Sequence, residues 1–277
     1  MAAIPPPKMT SISILGCGWL GLPLGRHLQQ RAYRLRGSTT RESKLPALAA
    51  AGIQPYLIRL EPEGIVGSLA DFLESDILIL NLPPGRRDPL VEEHFPRKVA
   101  HLLDRLPGSK LQQLIFVSST SVYGEARGRV SEESPLLARV GSGKALIEVE
   151  RQLRQRGLPA TILRPAGLAG PGRQPGRFLA GRQHLPHGDA PVNLVHLTDV
   201  INLITAIIAR QCWQQTFNLC AGQHPTRRAF YTRAARKLQL PPPTFAAGGA
   251  DRKYICSQQV RQQLDYRFLY DDPFEML

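Results

Sequence analysis

Short apolar runs alternate with amphipathic stretches over the first 168 residues of the chain. The runs at residues 77–80 and 114–117 are hydrophobic at every position, which is typical of parallel strands buried on both faces. The full pattern predicts strands at residues 11–15, 33–37, 56–60, 76–80, 114–118 and 161–164, and helices at residues 20–31, 41–51, 91–106 and 142–156. This alternation predicts an α/β fold with a doubly wound parallel sheet.

The pattern changes after Arg164. Residues 167–187 are rich in Gly, Pro and Arg, which indicates an irregular segment over a substrate cleft. The elements expected after it are a strand and helix at 193–195 and 198–210, a strand at 216–219, a helix at 226–238, a linker at 241–250 and a final strand–helix at 253–264. We therefore divide the chain into a core of residues 9–168, completed by about 193–220, and a smaller, partly irregular substrate-binding part, residues 169–277.

The first predicted strand runs directly into a Gly-x-Gly-x-x-Gly motif. Gly16 permits a tight turn, Gly18 lets the backbone approach a pyrophosphate, and Gly21 lets the following helix pack on the sheet. That helix directs its N-terminal N–H groups and the positive end of its dipole at the anion. The motif predicts a dinucleotide-binding Rossmann fold with cofactor contacts at Gly16, Gly18, Trp19, Leu20 and Gly21; an ordinary strand–turn–helix is the alternative.

The end of the second predicted strand bears on which dinucleotide is bound. An NAD site places Asp or Glu there to hold the ribose hydroxyls, and this chain has no acidic residue at that tip. Thr39, Thr40 and Arg41 offer hydroxyls and a planar guanidinium, which suit the 2′-phosphate of NADP. We therefore expect NADP, with NAD as the alternative. In that alternative Thr39 or Thr40 caps the next helix and Arg41 is solvated. Glu42 is a complication for NADP, because its carboxylate would repel the 2′-phosphate unless the side chain turns away.

Residues 114–124, Leu-Ile-Phe-Val-Ser-Ser-Thr-Ser-Val-Tyr-Gly, resemble the fifth-strand signature of the extended short-chain dehydrogenases/reductases, the nucleotide-sugar epimerase and dehydratase group. Further similarities follow in order: Leu-Arg-Pro-Ala-Gly at 163–167, Gly-Pro-Gly at 170–172, Val-Asn-Leu-Val-His-Leu-Thr-Asp-Val at 192–200 and Thr-Phe-Asn-Leu at 216–219. The resemblance covers nearly the whole chain. It implies an NAD(P)-dependent oxidoreductase or epimerase.

The chemistry of that family depends on a serine, a tyrosine and a lysine. The resemblance makes Ser119 the residue that orients the substrate and Lys144 the residue that holds the nicotinamide ribose. Val140 stands where the tyrosine of Tyr-x-x-x-Lys belongs, so the chain resembles an atypical bacterial branch without the usual active-site tyrosine. Tyr123 is the first candidate for proton transfer, and a water or a substrate group is the alternative. Lys144 has the alternative of a surface lysine paired with Glu148.

Further contacts follow from the same resemblance. We expect Ser118 at the end of the fifth strand, and Leu82 and Pro83 in the turn after the fourth, to lie beside the cofactor. Arg164, Arg173 and Arg177 are candidates for holding an anionic substrate. We expect His196 in the core and Asp199 in the first turn of the helix that follows it.

The composition restricts the partners. The 277 residues carry 35 Lys and Arg against 22 Asp and Glu, but these charges are scattered without a run of five, and aromatic residues make up only 6%. We therefore expect a small-molecule substrate, with nucleic acid as a less favoured alternative. No apolar run reaches the ~18 residues of a membrane span, and the four cysteines lack metal-ligand spacing. These features predict a cytoplasmic protein with free thiols and no metal, a monomer or homodimer with a frayed tail at residues 1–8.

The sequence thus predicts a protein of the short-chain dehydrogenase/reductase type that binds NADP, or else NAD. Its substrate would be a small polar carbonyl or a sugar-nucleotide-like compound. Because Val140 occupies the tyrosine position, catalysis is an open question. The alternative is a non-catalytic NADP-binding sensor of redox state or of a metabolite.

Overall fold

The computed structural model describes residues 10–85 and 87–277. The N-terminal tail expected at residues 1–8 lies outside the described residues. None of the helices in the described part of the chain is long and apolar enough to cross a membrane.

Strands and helices alternate along most of the described chain. The strands are β1 Ser11–Leu15, β2 Arg34–Thr39, β3 Gln54–Leu57, β4 Arg59–Glu61, β5 Gly64–Val66, β6 Ile77–Leu80, β7 Gln113–Val117, β8 Arg129–Val130, β9 Ala160–Pro165, β10 Gly167–Ala169, β11 Leu194–His196, β12 Thr216–Leu219 and β13 Tyr254–Ile255. The α-helices are α1 Gly21–Gln29, α2 Leu45–Ala49, α3 Val91–Leu103, α4 Gly141–Gln155, α5 Gly176–Leu179, α6 Leu197–Ala209, α7 Arg227–Lys237 and α8 Gln258–Gln263.

Seven of the strands form one parallel sheet in the order β12-β9-β7-β6-β1-β2-β3. In β1, Ile12 pairs with Leu35 of β2 on one side and with Ile77 of β6 on the other. The strand order therefore reverses at β1, and ligands of such sheets bind at the carboxyl end of the strand where the order reverses. Every residue of β1 and β6 is buried. The continuous apolar run of β6 predicted this, whereas β1 also buries Ser11 and Ser13. The expected α/β fold is confirmed.

The contacts between Cα atoms divide the chain into two compact units. The first comprises the described residues up to Val117 together with Ala145–Ile162, and the second comprises Ser118–Lys144 and Leu163–Leu277. This division does not follow the expected boundary at residue 168, because residues 118–144 pack with the C-terminal segment. The separation by function into a cofactor-binding core and a substrate-binding part remains a prediction.

The first unit differs from the predicted elements on one side of the sheet. Instead of one helix over residues 41–51, a 3₁₀ turn at Glu42–Lys44 precedes the short helix α2. The physical reason is Pro46, which lies in the first turn of α2, where its missing N–H leaves no helical hydrogen bond unmade, and so favours a helix that begins there. The strand expected at 56–60 is split into β3 and β4, and β4 forms an unpredicted hairpin with β5.

In the second unit, Asp199 fastens the C-terminal segment to the start of α6. It lies in the first turn of α6, as expected, but its buried carboxylate also accepts hydrogen bonds from the backbone N–H groups of Leu269 (2.7 Å) and Tyr270 (3.1 Å). The hydroxyl of Tyr266 donates a third, at 2.8 Å. The carboxylate therefore has three donors from one segment, which offsets the cost of burying its charge.

His196 closes the N-terminus of α6. Its Nδ1 accepts a hydrogen bond from the backbone N–H of Thr198 at 3.2 Å, and its ring lies 3.9 Å, centroid to centroid, from the ring of Tyr270. Burial lowers the pKa of His196, and the Asp199 carboxylate opposes this only in part. The cap requires the neutral imidazole, because a protonated Nδ1 cannot accept a hydrogen bond.

The first prediction concerns the pH dependence of folding. Because the pKa of His196 is lower in the folded state, the unfolded chain binds the proton more tightly, and stability falls as the pH drops below about 6.5. His196→Asn keeps a capping oxygen and removes this titration, so the difference in unfolding free energy between about pH 7.5 and about pH 5.5 should shrink by about 1 kcal/mol. Urea unfolding at the two pH values measures it.

The matched control is His184→Asn. His184 is exposed, and its left-handed backbone, with φ +50°, suits asparagine. This variant should keep the pH dependence of the unaltered protein. An unchanged pH dependence in His196→Asn would show that the cap does not depend on the charge of the ring.

Candidate functional site

The loop between β1 and α1 requires glycine at two positions for reasons internal to the protein. Gly16 has φ +106°, and a Cβ atom there would lie 2.3 Å from the carbonyl oxygen of Asn81. A Cβ atom at Gly21 would lie 2.3 Å from the carbonyl oxygen of Gly16. No side chain fits at either distance, so both glycines are explained by the fold alone.

Gly18 differs from its two neighbours in the motif. It is exposed, no positive φ constrains it, and nothing lies within 4 Å of where its Cβ atom would be. The protein itself therefore gives no reason for a glycine here. A ligand that approaches the backbone closely would give one. The adjacent helix α1 has no acidic residue in its first turn, so its positive N-terminal end is not neutralised there.

Two side chains that the sequence analysis missed hold this loop in place. Ser38 accepts a hydrogen bond from the Gly16 N–H on its Oγ at 2.9 Å, and Asn81 donates its Nδ2 to the Gly16 carbonyl oxygen at 2.9 Å. The sequence contains a signal for both residues. Asn81 is the first polar residue after the fully buried strand β6, and Ser38 lies near the end of β2, so both follow strands that neighbour β1 in the sheet. Both anchor the loop from the carboxyl ends of strands that flank β1.

The other residues predicted in the loop differ in exposure. Trp19 is partly exposed, whereas Leu20 is buried and leaves only its backbone for a ligand. Leu82 lies beside Gly16, with its Cδ2 atom 3.2 Å from where a Cβ atom of that glycine would be, and Pro83 is exposed. Burial raises the pKa of the Cys17 thiol to about 12, which keeps it protonated.

The tip of β2 separates the three residues predicted to select the cofactor. Thr39 is buried, and its Oγ1 accepts a hydrogen bond from the backbone N–H of Arg41 at 3.2 Å, so its hydroxyl oxygen is engaged within the turn. Thr40 and Arg41 are exposed, and so is Glu42, which opens the 3₁₀ turn. The side chains of Thr40 and Arg41 therefore remain accessible to a ligand, while that of Thr39 shapes the backbone.

In the second unit, a serine turn follows β7. The backbone N–H of Ser118 donates to the carbonyl oxygen of Leu163 at 2.7 Å, and Ser118 is buried. Ser119 is partly exposed and caps the 3₁₀ turn Thr120–Tyr123, its Oγ accepting a hydrogen bond from the Ser121 N–H at 3.1 Å. The Ser119 hydroxyl is thus oriented by the backbone.

The start of α4 packs against that turn. A Cβ atom at Gly143 would lie 2.8 Å from the carbonyl oxygen of Ser121, so only glycine allows this approach. The approach brings the segment before Lys144 to the serine turn, and the Lys144 side chain is exposed. Val140 is 77% exposed and precedes Gly141, which has φ +64°. The tyrosine position of the family pattern therefore lies on the surface, just before the helix.

Tyr123 is fully buried, and its hydroxyl is committed to protein partners. It donates to Oδ1 of Asn218 at 2.7 Å and accepts from the guanidinium of Arg164 at 2.8 Å, while that guanidinium also lies 5.1 Å from the ring centroid. Burial raises the pKa of Tyr123. The hypothesis that Tyr123 transfers a proton to a substrate is not supported by this geometry, because no atom of the side chain is exposed.

Arg164 and Glu132 complete this buried network. Arg164 is 2% exposed and also donates to the Glu132 carbonyl oxygen at 3.2 Å, while the Glu132 carboxylate accepts from the Asn218 N–H at 2.7 Å. Burial raises the pKa of Glu132. Arg164 therefore cannot meet an anionic substrate as the sequence suggested, whereas Arg173 and Arg177 are exposed.

No group of three or more His, Cys, Asp or Glu side chains suited to a metal ion occurs within residues 10–85 and 87–277. The residues with site-like features therefore fall into two sets. The glycine loop and the β2 tip belong to the first unit, and the serine turn and the start of α4 belong to the second.

Over 275 residues the chain is 40% identical to Protein YeeZ of Escherichia coli strain K12, which covers 97% of this chain and 99% of that protein. The chain belongs to the YeeZ family. No protein-family profile matches it.

Solved structures with the same fold as this YeeZ family member include nucleotide-binding enzymes. UDP-glucuronic acid 4-epimerase from Bacillus cereus, in complex with NAD, superimposes with a TM-score of 0.75 at 17% identity and covers 95% of this chain and 94% of its own. A short-chain dehydrogenase/reductase superfamily protein from Agrobacterium tumefaciens with bound NAD gives a TM-score of 0.75 at 17% identity, with coverage of 96% and 94%. At these identities the likeness establishes the fold.

The second prediction tests the structural role of Tyr123. Tyr123→Phe removes the hydroxyl and leaves buried polar atoms of Arg164 and Asn218 without that partner, which should lower the free energy of unfolding by about 1 to 3 kcal/mol. Urea denaturation followed by circular dichroism measures the change. Tyr254→Phe is the matched control in the same unit, since Tyr254 is exposed, and it should change stability by less than about 0.5 kcal/mol. Equal stability of the two variants would contradict the assignment.

Proposed function

We propose that this chain is an NAD(P)-dependent oxidoreductase or epimerase of the short-chain dehydrogenase/reductase type, acting on a small polar carbonyl or sugar-nucleotide-like substrate. The observation that carries the proposal is Gly18. It is the exposed glycine of a Gly-x-Gly-x-x-Gly loop, and no contact within the protein requires it. The loop lies at the carboxyl end of β1, where the strand order reverses and ligands of this fold bind.

The residues of the glycine loop fit a dinucleotide. The backbone from Gly18 to Gly21 would hold the pyrophosphate, because the start of α1 carries no acidic side chain to repel it. The bound nicotinamide would supply or accept a hydride. Ser38 and Asn81 hold Gly16 and so keep this backbone in the conformation that the phosphates need.

We propose NADP as the preferred cofactor. Thr40 and Arg41 are exposed at the tip of β2, where a 2′-phosphate would lie, and a guanidinium pairs well with a phosphate. Glu42 is exposed as well, so its carboxylate has room to stay in solvent, away from the phosphate.

In the proposed reaction the oriented hydroxyl of Ser119 positions the carbonyl or hydroxyl group of the substrate, and Lys144 holds the nicotinamide ribose. Ser118 would border the cofactor through its backbone. Since the Tyr123 hydroxyl is buried and Val140 is aliphatic, the proton comes from a water or from the substrate itself. The name of a relative in fold, UDP-glucuronic acid 4-epimerase, supports a sugar nucleotide as the first substrate class to test.

The third prediction concerns cofactor binding. In a fluorescence titration NADPH should bind the protein at least about tenfold more tightly than NADH, because a charge-assisted hydrogen bond to the phosphate contributes about 1.5 to 3 kcal/mol. Arg41→Gln should remove this preference by weakening NADPH binding alone. Gly18→Val should abolish binding of both cofactors without loss of stability, since a Cβ atom at this exposed position has no protein atom within 4 Å.

The matched control for Arg41→Gln is Arg59→Gln, which removes the same charge from an exposed position outside the site. It should leave both affinities unchanged. Equal binding of NADH and NADPH by the unaltered protein would refute NADP preference. Retention of both cofactors by Gly18→Val would refute the site.

The exposed Val140 favours a second candidate, a sensor that binds NADP without turnover. The fourth prediction separates the two. An oxidoreductase oxidises NADPH or reduces NADP+ with at least one member of a panel of UDP-sugars and small carbonyl compounds. An epimerase returns the hydride to its substrate, so it converts a UDP-sugar of the panel into its epimer with no net change of the cofactor. Ser119→Ala should then lower kcat/KM about 100-fold or more, with NADPH affinity unchanged.

Two further variants control this test. Ser121→Ala removes a neighbouring hydroxyl but keeps the backbone N–H that donates a hydrogen bond to the Oγ of Ser119, so this variant should retain activity. Ser119→Thr keeps the hydroxyl and should restore part of the rate. A sensor shows no turnover over the whole panel and binds NADP+ and NADPH with clearly different affinities.

A further inference from the structure

Two segments of the second unit carry basic residues and no acidic ones. Residues 165–188 and 223–250 contain no Asp or Glu. The basic residues in these segments are Arg173, Arg177, Arg182, Arg227, Arg228, Arg233, Arg236 and Lys237. All are exposed except Arg227, which is partly buried. Against a net charge of +13 for the whole chain, these eight residues are a large share.

The fold brings these two segments together. Backbone hydrogen bonds join Gly181 to Pro241 at 2.8 Å and Leu185 to Thr244 at 3.0 Å. Helix α5 lies so close to α7 that a Cβ atom at Gly176 would be 2.3 Å from a backbone carbonyl oxygen of α7. Charges that are far apart in the sequence therefore share one surface, which we call the arginine surface.

A groove of about 420 Å³ runs along α7 within the arginine surface, lined by Thr226, Arg228, Ala229, Thr232, Arg233 and Arg236. Its lining presents the guanidinium groups and side-chain carbon atoms of three arginines, the hydroxyl and methyl groups of two threonines, the methyl group of Ala229, and no carboxylate. The spacing of Ala229, Thr232 and Arg236 places them along one side of α7, because residues three or four apart in a helix share a face. The opposite side, with Phe230 and Ala234, is buried.

The three groove arginines differ in their existing partners. Arg228 donates to the carbonyl oxygens of Phe245 and Ala246 and lies 3.7 Å from Asp189, so it is largely committed. Arg233 lies over the ring of Phe274, 4.7 Å from its centroid, which leaves its N–H groups for a ligand.

Arg236 makes no side-chain hydrogen bond or ion pair within the described ranges. Among the described ion pairs, Asp189 contacts a groove arginine, at 3.7 Å from Arg228. Two guanidinium groups, those of Arg233 and Arg236, are therefore positioned in the groove without a carboxylate partner.

We propose that the arginine surface binds the phosphodiester backbone of a nucleic acid, in the groove along α7. Guanidinium groups bind phosphate oxygens through paired N–H donors, and threonine hydroxyls add neutral hydrogen bonds. The concave shape suits a strand better than a flat membrane. An acidic peptide is the competing occupant, but two guanidinium groups three residues apart on α7 suit the regularly repeated phosphates of a strand better than the irregularly placed carboxylates of a peptide. A second copy of this basic chain offers no charge complementarity.

The arginine surface also explains why the sequence alone argued against nucleic acid. Along the chain the basic residues are dispersed, whereas the fold pairs two segments without acidic residues and so gathers arginines on one surface, where Asp189 of a neighbouring position pairs with Arg228. The proposal does not depend on cofactor binding or turnover, and it can fail or succeed independently of both.

The fifth prediction tests the arginine surface by fluorescence anisotropy with a labelled single-stranded RNA of about 16 nucleotides and a duplex DNA of the same length. At least one of the two probes should bind, with an affinity that falls as salt rises. Arg233→Gln combined with Arg236→Gln should weaken binding at least about tenfold and reduce the slope of log affinity against log salt by about 1.4 to 1.8, the value for two phosphate contacts. The two probes distinguish a single strand from a duplex.

The matched control is Arg59→Gln combined with Arg105→Gln, which removes two exposed charges of the first unit and leaves the net charge equal to that of the groove variant. It should change affinity less than about twofold. Arg236→Gln alone provides a second groove variant that breaks no contact with a described residue, so any loss it causes cannot be attributed to unfolding.

Three results would overturn the proposal. Neither probe binds at low salt; the control variant loses as much affinity as the groove variant; or polyglutamate of matched charge binds as tightly as the nucleic acid, which would indicate an acidic protein as the partner.

Discussion

A Cβ atom at Gly21 would lie 2.3 Å from the carbonyl oxygen of Gly16, and a Cβ atom at Gly16 would lie 2.3 Å from the carbonyl oxygen of Asn81. This crowding fixes the path of the chain from β1 into α1. Helix α1 also packs closely on its neighbours, because a Cβ atom at Gly25 would lie 2.5 Å from the side chain of Ile53. The absence of side chains therefore places the N-terminus of α1 at the carboxyl end of β1, and every feature of the proposed cofactor site depends on that placement.

A buried guanidinium has the corresponding role in the second unit. Arg164 lies between Tyr123 and the carbonyl group of Glu132, and Asn218 links the tyrosine hydroxyl to the glutamate carboxylate. A buried polar network of this kind costs desolvation energy, and every partner it loses is expensive. Its geometry joins the turn after β7 to β9 and β12, which fixes the turn that carries Ser119.

The sequence was informative where burial alone decides the structure. Strand β6 was predicted because every one of its residues is apolar. Strand β1 was predicted because its apolar residues lead directly into the glycine motif, which also identified the turn between β1 and α1. Prediction failed where one residue overrides a pattern, as Pro46 does in α2. It failed again where a role depends on solvent exposure. Tyr123 and Arg164 are residue types that can transfer a proton or bind an anion, but the fold buries both side chains. The arginine surface was out of reach for a third reason, since it exists only after distant segments pair.

The three glycines of the loop are constrained in different ways, so substitutions at them would report on different properties: those at Gly16 and Gly21 on the fold, and those at Gly18 on ligand binding. Gly16 and Gly21 are under steric constraint from the protein, so any descendant that folds must keep them. In the proposed site, Gly18 is constrained by the ligand alone. A lineage that gave up nucleotide binding would therefore retain the outer glycines and accumulate side chains at the middle one, and such a substitution would mark the loss of the ligand long before the fold showed any change.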